Sequence, residues 1–412
     1  MCAPICKTPP PLTGQFTLHI SEHIDTLHTD KWNDLVGERF FFASTEHLSV
    51  VEKTAGNQLK PLYLMVNEGE TTLAVIYLQQ LTFSFENAVK NFQWKQPRWK
   101  SLFSWMIIRL LSVLKIPLLQ TGNIFFTGDS GIYFRNGLSQ EVKKEIIQQV
   151  MDAQPWKSLC SLRTTATMIG NLFRKVELAG IEQLGFHPMD SEPDLWMEIP
   201  AHWESLGDFL SDLSSKYRIR ANKVMNSTDH LQICNLSMEE LTGLEDQLLA
   251  LYHQVAKRAD FNMAYLQPGY FTAMKALYGD NFQVEVYKDG DKLAGFTSAY
   301  YVGRTAHAHY IGIDYTLTAQ IPLYNRMLFE FIREAIHRKC LHLHFGRTAT
   351  EIKTTVGAQP IPMHGYLKLE NRILNRFLPL LLKNFGSGQY VQRHPFREQM
   401  ADVKPSTCSF HE

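Results

Sequence analysis

The sequence predicts a mixed α/β protein of the α+β class: two tandem units, each a mixed, mostly antiparallel sheet flanked by helices. Three observations carry this. First, residues 282–314 form three strand-like runs separated by Asp289-Gly290 and Gly303-Arg304. An Asp-Gly pair suits a hairpin turn because glycine accepts φ > 0 without steric cost. Second, the period then changes. Leu323, Met327, Leu328, Phe331, Ile332, Ala335 and Ile336 recur at helical spacing, with Glu330, Arg333, Glu334 and Arg338 opposite, before a short alternating strand at 341–345. A strand–helix–strand crossover normally leaves its two strands parallel. Third, the first half repeats the order: strand 59–67, a turn at Glu68-Gly69, strand 71–85, and later a helix and a further strand.

In chain order, residues 1–14 are proline-rich and predicted loose, and 32–39 and 44–53 read as short helices. Residues 123–134 carry two strand-like runs around Gly128-Asp129. Ser139 is a suitable N-cap for a helix to about 153, with Val142, Ile146, Ile147 and Val150 on one face. Strand 159–168, helix 173–184 and strand 195–199 follow. The first half ends its helix with Leu184-Gly185-Phe186-His187-Pro188; the second ends its own with Val356-Gly357-Ala358-Gln359-Pro360, before a strand at 363–369. Glycine supplies the left-handed cap and proline prevents continuation. Matching punctuation after matching element order predicts an internal duplication. The boundary is expected near 200–203, before a helix over 206–226. This gives units at 15–202 and 203–370, and a C-terminal amphipathic helix and tail over 371–412.

Residues 98–115 interrupt the first unit. On a helical wheel Arg98, Ser101, Ser104, Arg109, Ser112 and Lys115 share one side, and eight apolar residues fill the other. The run is too short and too polar to span a bilayer. It reads either as a helix packed on its domain or as one lying in a membrane interface, and a second apolar-basic run at 372–383 has the same character.

Composition describes a folded chain. Hydrophobic residues at 45% and charged residues at 20% of 412 exclude a disordered protein. Lys plus Arg (41) equals Asp plus Glu (41), so no electrostatic footprint for nucleic acid is present. Cysteines at 2, 6, 160, 234, 340 and 408 lack metal or disulfide spacing, which points to a reducing compartment. No charged region followed by an apolar run opens the chain, so a cytoplasmic protein is expected, with peripheral contact at the inner face of the membrane as the variant.

The stretches "SDLSSKYRIRANKV" (211–224) and "HLHFGRTATEIKTTVGAQP" (342–360), on this element order, resemble the GNAT acyltransferases of the two-unit Fem-type and BioF2-like group. The resemblance spans about residues 30–369 and implies two GNAT-like units with the working cleft in the second. It implies an N-acyltransferase moving an acyl group from a thioester, on acyl-CoA or an acyl carrier protein, to a small-molecule or lipid-like amine. Two alternatives remain: a Fem-type aminoacyl-tRNA-dependent transferase acting on a cell-wall precursor, and a non-catalytic scaffold of the same fold that binds a ligand or partner. Outside the tRNA alternative no nucleic-acid partner is expected.

Acyl transfer needs a place for the carbonyl oxygen, an uncharged amine, an acid for the leaving thiolate and an orienting cleft. In the family the cleft opens where the central strand, here 310–314, parts from 341–345. That implies backbone N–H donors at Ile311 and Gly312, with the small residues Ala306, Ala308 and Gly312 leaving room for substrate. Tyr310 and Asp314 fall on one face as candidate acid and base; they read equally as a core tyrosine and a strand-terminal aspartate opening a loop. Arg347, just after Phe345-Gly346, stands at the strand's carboxyl end, where it suits a carboxylate or phosphate. By family position Lys353 joins it on the substrate path. Lys216 and Arg220 share a helical face and are further candidates for anionic groups, although such a face is commonly just solvated. The family's glycine-rich pyrophosphate loop is missing: 318–324 reads Thr-Ala-Gln-Ile-Pro-Leu-Tyr. Histidines alternate at 307 and 309 and at 342 and 344; no metal is expected, and the pairs read as a half-buried sheet face.

Overall fold

The computed structural model describes residues 16–84, 115–128, 130–159, 164–172, 180–259, 262–318, 321–382 and 390–397. The predicted helix at 98–115 lies outside them except for Lys115, and so do 173–179 of the predicted helix at 173–184. The mixed α/β class is as the sequence predicts. The chain divides into two compact units, Met1–Ser191 with Ala259–Tyr265 and Met363–Ser387, and Glu192–Arg258 with Leu266–Pro362 and Gly388–Glu412.

In the first unit β1 (Phe16–Ser21), β2 (Leu59–Glu68), β3 (Thr71–Ser84) and β4 (Lys115–Thr121) pair antiparallel in that order, with β5 (Ile132–Phe134) also on β3. β4 runs parallel to β6 (Ala166–Leu172), and β6 pairs antiparallel with His364–Leu369, near the far end of the chain. α1 (Thr29–Val36) buries Trp32, whose Nε1 donates to the Ala43 carbonyl at 2.9 Å. α2 (Thr45–Thr54) starts at the Ser44 cap, whose hydroxyl accepts the His47 N–H. α3 (Gln140–Ala153) starts at Ser139, as its spacing predicts, and lays Ile146, Ile147 and Val150 into a core with Leu62, Leu64, Ile76 and Trp156. Of the run read at 123–134, Ile132–Phe134 is a strand, and the strand parallel to β6 is Lys115–Thr121. Pro117 reads as a breaker, yet it sits in the ladder with its carbonyl accepting the Thr165 N–H at 2.8 Å.

The second unit follows the same plan. β7 is His187–Glu198, of which the part from Glu192 on belongs here. α4 (Leu206–Asp212) and α5 (Ser215–Ser227) replace the single helix predicted over 206–226, because Leu213 and Ser214 are extended. β8 (Gln232–Asn235) precedes α6 (Met238–Ala256), which opens with a capping box between Ser237 and Glu240. After α7 (Tyr270–Tyr278) come β9 (Phe282–Asp289), β10 (Lys292–Val302) and β11 (Thr305–Ile313), the meander read from sequence. The crossover helix α8 (Leu323–His337) leads to β12 (His342–Gly346), parallel to β11. α9 (Thr350–Thr354), β13 (Gln359–Leu369) and α10 (Arg372–Leu382) end the described elements.

The closing strands correct the clean cut predicted at 202/203. Leu195–Glu198 pair with β12 in the second unit, and His364–Leu369 with β6 in the first. Each sheet thus takes its last strand from the other half of the sequence. Periodicity predicts that a strand forms but says nothing of its partner.

Candidate active site

The second unit's sheet separates two sets of helices. Ala299, Tyr301, Ala306, Leu343 and Phe345 pack with α4, α5 and α8 on one face. The residues alternating with them, His307 on β11, His344 on β12 and Trp196 on β7, point to the other face, toward α6 and α7.

A β-bulge in β11 alters this alternation. Thr297 pairs with Ile311 but Ala299 pairs with Ala308, so Ser298 stands opposite both His309 and Tyr310. Its hydroxyl accepts the Tyr310 N–H and donates to the Tyr310 carbonyl, each at 3.0 Å. The extra residue turns His309 and Tyr310 to the same side as His307. His309 Nε2 lies 2.8 Å from the Tyr270 hydroxyl on α7, which lies 3.3 Å from that of Tyr300. Tyr310 packs edge-on against Tyr252 of α6, ring centroids 5.1 Å apart. Burial, with the neighbouring Tyr252 and Tyr270, pushes the Tyr310 phenol well above the usual tyrosine range.

The same register decides which amides face the cleft. β11 and β12 pair only over Thr305–His342, Ala306–Leu343 and His307–His344, and the ladder ends there. The Asp314 N–H donates to the Ala294 carbonyl at 2.9 Å, so alternate amides, Gly312 included, point into β10. Gly312 is therefore withdrawn as an oxyanion donor; Ile311, one residue back, directs its N–H to the side on which β12 has ended. Nor does Gly312 leave space: a Cβ there would lie 2.3 Å from Phe296 Cε1 and 2.7 Å from Leu251 Cβ. Its smallness serves the approach of α6 to the sheet.

Asp314 is corrected as well. Its Oδ1 accepts from the Thr316 N–H (2.8 Å) and hydroxyl (2.6 Å), closing the turn after β11. The Thr316 side chain, with the Thr316 and Leu317 backbone, outweighs desolvation and holds the carboxyl below its ordinary range. A carboxylate so occupied is a poor base.

Beyond β12 the chain enters the left-handed region at Gly346 (φ 69°), Thr348 (68°) and Ala349 (50°). The Lys353 ammonium holds this turn: Nζ donates to the carbonyls of Phe345 (2.8 Å) and Arg347 (2.7 Å), with that of Gly346 at 3.5 Å. Burial lowers its pKa to about 8. The donors face the protein's own backbone, so Lys353 positions the Arg347 loop and is not a substrate contact. Arg347 itself is half-buried. Burial lowers its pKa against the opposing charges of Asp194 and Glu192. Lys216 and Arg220 lie on α5, exposed over the Tyr217 ring at 5.9 and 5.8 Å. Tyr217 packs into the core on the α8 side of the sheet. The structure does not bring either cation together with the histidines.

Sequence reasoning missed Asp194. It is fully buried on β7, with Oδ1 2.8 Å from His344 Nε2 and Oδ2 accepting from Trp196 Nε1 at 2.9 Å. His344 Nδ1 lies 3.2 Å from His307 Nδ1, and the Trp196 ring stacks on His344 with centroids 4.4 Å apart. Burial alone would raise Asp194, but the charge and hydrogen bond of His344, the Trp196 N–H and Arg347 outweigh it and hold the carboxyl below the usual range. Among the described residues no group of three or more His, Cys, Asp or Glu is arranged to hold a metal.

Residues 215–354 match the family model of the acetyltransferase (GNAT) domain. Apart from 259–265, the matched residues lie in the second unit. No curated protein matches the chain. Among solved structures it is similar to FemX (8% identity, covering 85% of this chain and 98% of that one, TM-score 0.48). It is also similar to a tandem GNAT protein from the clavulanic acid biosynthesis pathway (11%, 85% and 98%, 0.45), and to L-PGS from Bacillus licheniformis (11%, 83% and 96%, 0.41).

Proposed function

We propose that the second unit transfers an acyl group from a thioester, carried by coenzyme A or an acyl carrier protein, to the nitrogen of an amine. The observation that carries this reading is the end of the β11–β12 ladder at His307–His344, with the Ile311 amide aimed to that side, inside a GNAT domain. The thioester carbonyl lies in the gap and its developing oxyanion takes the Ile311 N–H. Tyr310, which keeps its proton at neutral pH, is the acid for the departing thiolate. Arg347 meets a phosphate or carboxylate of one substrate. At the opening of α8, Pro322 has no N–H and Leu323 donates to Ile321 at 2.8 Å. A pyrophosphate would therefore draw on fewer amides than a glycine-rich loop offers. Incubation of the whole chain with acyl-CoA and acyl-carrier-protein thioesters and an amine panel, read by thiol release and product mass, tests the reading. Release dependent on both amine and protein is expected. Its absence across the panel would favour a binding scaffold.

The acceptor or donor is lipid-like in this reading, and α10 supports that. Ile373, Leu374 and Phe377 are 71%, 56% and 56% exposed on one side of it, next to exposed Arg372 and Arg376. An apolar arc bordered by arginines suits an anionic lipid surface. Among the described residues no helix is long and apolar enough to cross a membrane.

A further inference from the structure

We propose that the outer face of α5 is the docking surface for an acyl carrier protein, so that the thioester arrives on an acidic protein rather than on free coenzyme A. The assignment rests on the acyl-transfer reading above and names the carrier which that reading leaves open.

α5 has two distinct sides. Tyr217, Ala221, Val224 and Met225 pack into the core shared with α4, α8 and the sheet, which fixes the rotation of the helix. Lys216, Ile219, Arg220 and Lys223, spaced i, i+3, i+4 and i+7, form one exposed stripe on the opposite side. Ile219, inside that stripe, is 68% exposed. Ser215–Ser227 holds four cations, Lys216, Arg218, Arg220 and Lys223, and no acid. The flanking acids are Asp212, bonded to His202 and Trp203, and exposed Asp229. Arg218 turns back to the Ser211 carbonyl at 3.4 Å. Among the described residues Lys216, Arg220 and Lys223 make no ion pair, whereas α8 pairs Arg333 with Glu330 and Arg338 with Glu334. Lys216 also stands in the first turn, where the helix dipole opposes a cation. In a chain whose acids and bases are equal in number, this unpaired row finds its complement outside the chain.

The make-up of the stripe selects the occupant. From Lys216 to Lys223 it runs about 10 Å at 1.5 Å per residue. A nucleic-acid backbone draws its affinity from many phosphate contacts and gains nothing from an isoleucine. A bilayer takes a wider apolar arc than one side chain provides. A protein surface with carboxylates around an apolar contact matches both the cations and Ile219. Position agrees with this. Thr228, which ends α5, accepts from Arg326 Nη1 in the first turn of α8 at 3.0 Å, and its hydroxyl donates to the Val224 carbonyl at 2.7 Å. Arg326 is itself buried and paired with Glu330. The stripe therefore lies on a helix fastened to the opening of α8, where backbone amides would ordinarily meet a phosphate of the donor. Pro322 has no N–H there and Leu323 gives its own to Ile321. Recognition that those amides do not supply falls to the carboxylates of the carrier on α5.

The test follows binding of a fluorescently labelled holo acyl carrier protein to the whole chain by anisotropy. In parallel, hexadecanoyl carrier protein and hexadecanoyl-CoA are compared as donors to the amine panel. Binding by the wild type is expected, and it should weaken as salt rises. Lys216→Glu with Arg220→Glu and Lys223→Glu should weaken it by about a hundredfold or more, at an unchanged melting temperature because all three side chains are exposed. The ratio of kcat/KM for the carrier-borne donor over the CoA-borne one should fall by a similar factor. Ile219→Ala should weaken binding about five- to tenfold, and Lys216→Arg with Lys223→Arg should preserve it. No binding by the wild type, or a charge-reversed variant that binds as the wild type does, would overturn the assignment. So would a wild-type chain that uses hexadecanoyl-CoA as well as the carrier-borne donor. Transfer RNA and phosphatidylglycerol vesicles are run alongside, and loss of either of these on charge reversal with carrier binding intact would give the stripe to that partner and end the proposal. A wild-type chain that binds the carrier through this stripe yet releases no thiol from either donor would support the docking surface and count against acyl transfer itself.

Discussion

The Ser298 hydroxyl occupies both backbone groups of Tyr310, accepting its N–H and donating to its carbonyl at 3.0 Å each. One side chain thus closes the bulge that turns His309 and Tyr310 to the face of His307. Ser298 is 1% exposed, so Ser298→Ala leaves two backbone groups without this partner in a dry place. Each unsatisfied group costs about 1–3 kcal/mol. A drop in urea-unfolding free energy of that order is expected, with acyl transfer lost more steeply than stability because the bulge sets the cleft. Unchanged stability and turnover would show that the bulge holds itself.

Lys353→Met should destabilise the chain, since the carbonyls of Phe345 and Arg347 lose their donor while Thr348 and Ala349 remain in the left-handed region. Its pH dependence has a definite sign. The folded pKa is about 8, below the usual lysine value of 10.5, so between these the unfolded chain holds the proton that the folded chain has released. Stability contributed by this group rises with pH across that window and is lost as pH falls through about 8. Melting temperatures of wild type and Lys353→Met, compared from pH 7 to 10.5, should diverge in favour of the wild type. Parallel curves would contradict the shift.

Arg347→Ala is expected to reduce turnover by about ten- to a hundredfold, the loss of a charge-assisted contact worth roughly 1.5–3 kcal/mol. Arg347→Lys should recover only part of it, because a point charge does not reproduce the planar fork. Full activity in the alanine variant, at unchanged thermal stability, would remove Arg347 from the substrate path.

Much of the second unit was legible because its signals are local. Asp289-Gly290 makes a hairpin whose Gly290 has φ 58°, and the apolar period from Leu323 to Ile336 fixes α8. α6 went unread, although Ser237 followed by Glu240 ahead of an apolar run is a helix-start pattern. The site was legible only in part. His307 and His344 stood out as alternating pairs, but Asp194 is 150 residues from His344, and only the exchange of closing strands brings β7 beside β12. Asp194 and Trp196 sit two apart, a stride that predicts one face of a strand without naming what lies across it. Asp314 was misassigned because Thr316, two residues on, takes up its carboxylate in the turn, and Gly312 because of register. Which edge an amide faces depends on register, and one bulge residue reverses the count.

The last prediction concerns the lipid surface. α10 is anchored by Asn375, which accepts the Leu369 N–H at 2.8 Å and donates to the Gly185 carbonyl at 2.7 Å, and by buried Leu378. That fixes its rotation and leaves Ile373, Leu374 and Phe377 outward. Each such side chain withdrawn from water contributes about 1.5–3 kcal/mol, so three of them exceed the cost of holding a helix that is already folded. Arg372 and Arg376 add attraction to anionic headgroups, which salt screens. Flotation with vesicles containing phosphatidylglycerol is therefore expected, weaker with neutral phosphatidylcholine and weaker again in high salt. Phe377→Asp should abolish it without lowering the melting temperature, since that ring is not part of the core. Arg372→Gln with Arg376→Gln should remove the preference for anionic vesicles and leave residual binding. Failure of the intact protein to float on either vesicle would assign the apolar arc to a protein neighbour, and the acceptor would then be sought among soluble amines.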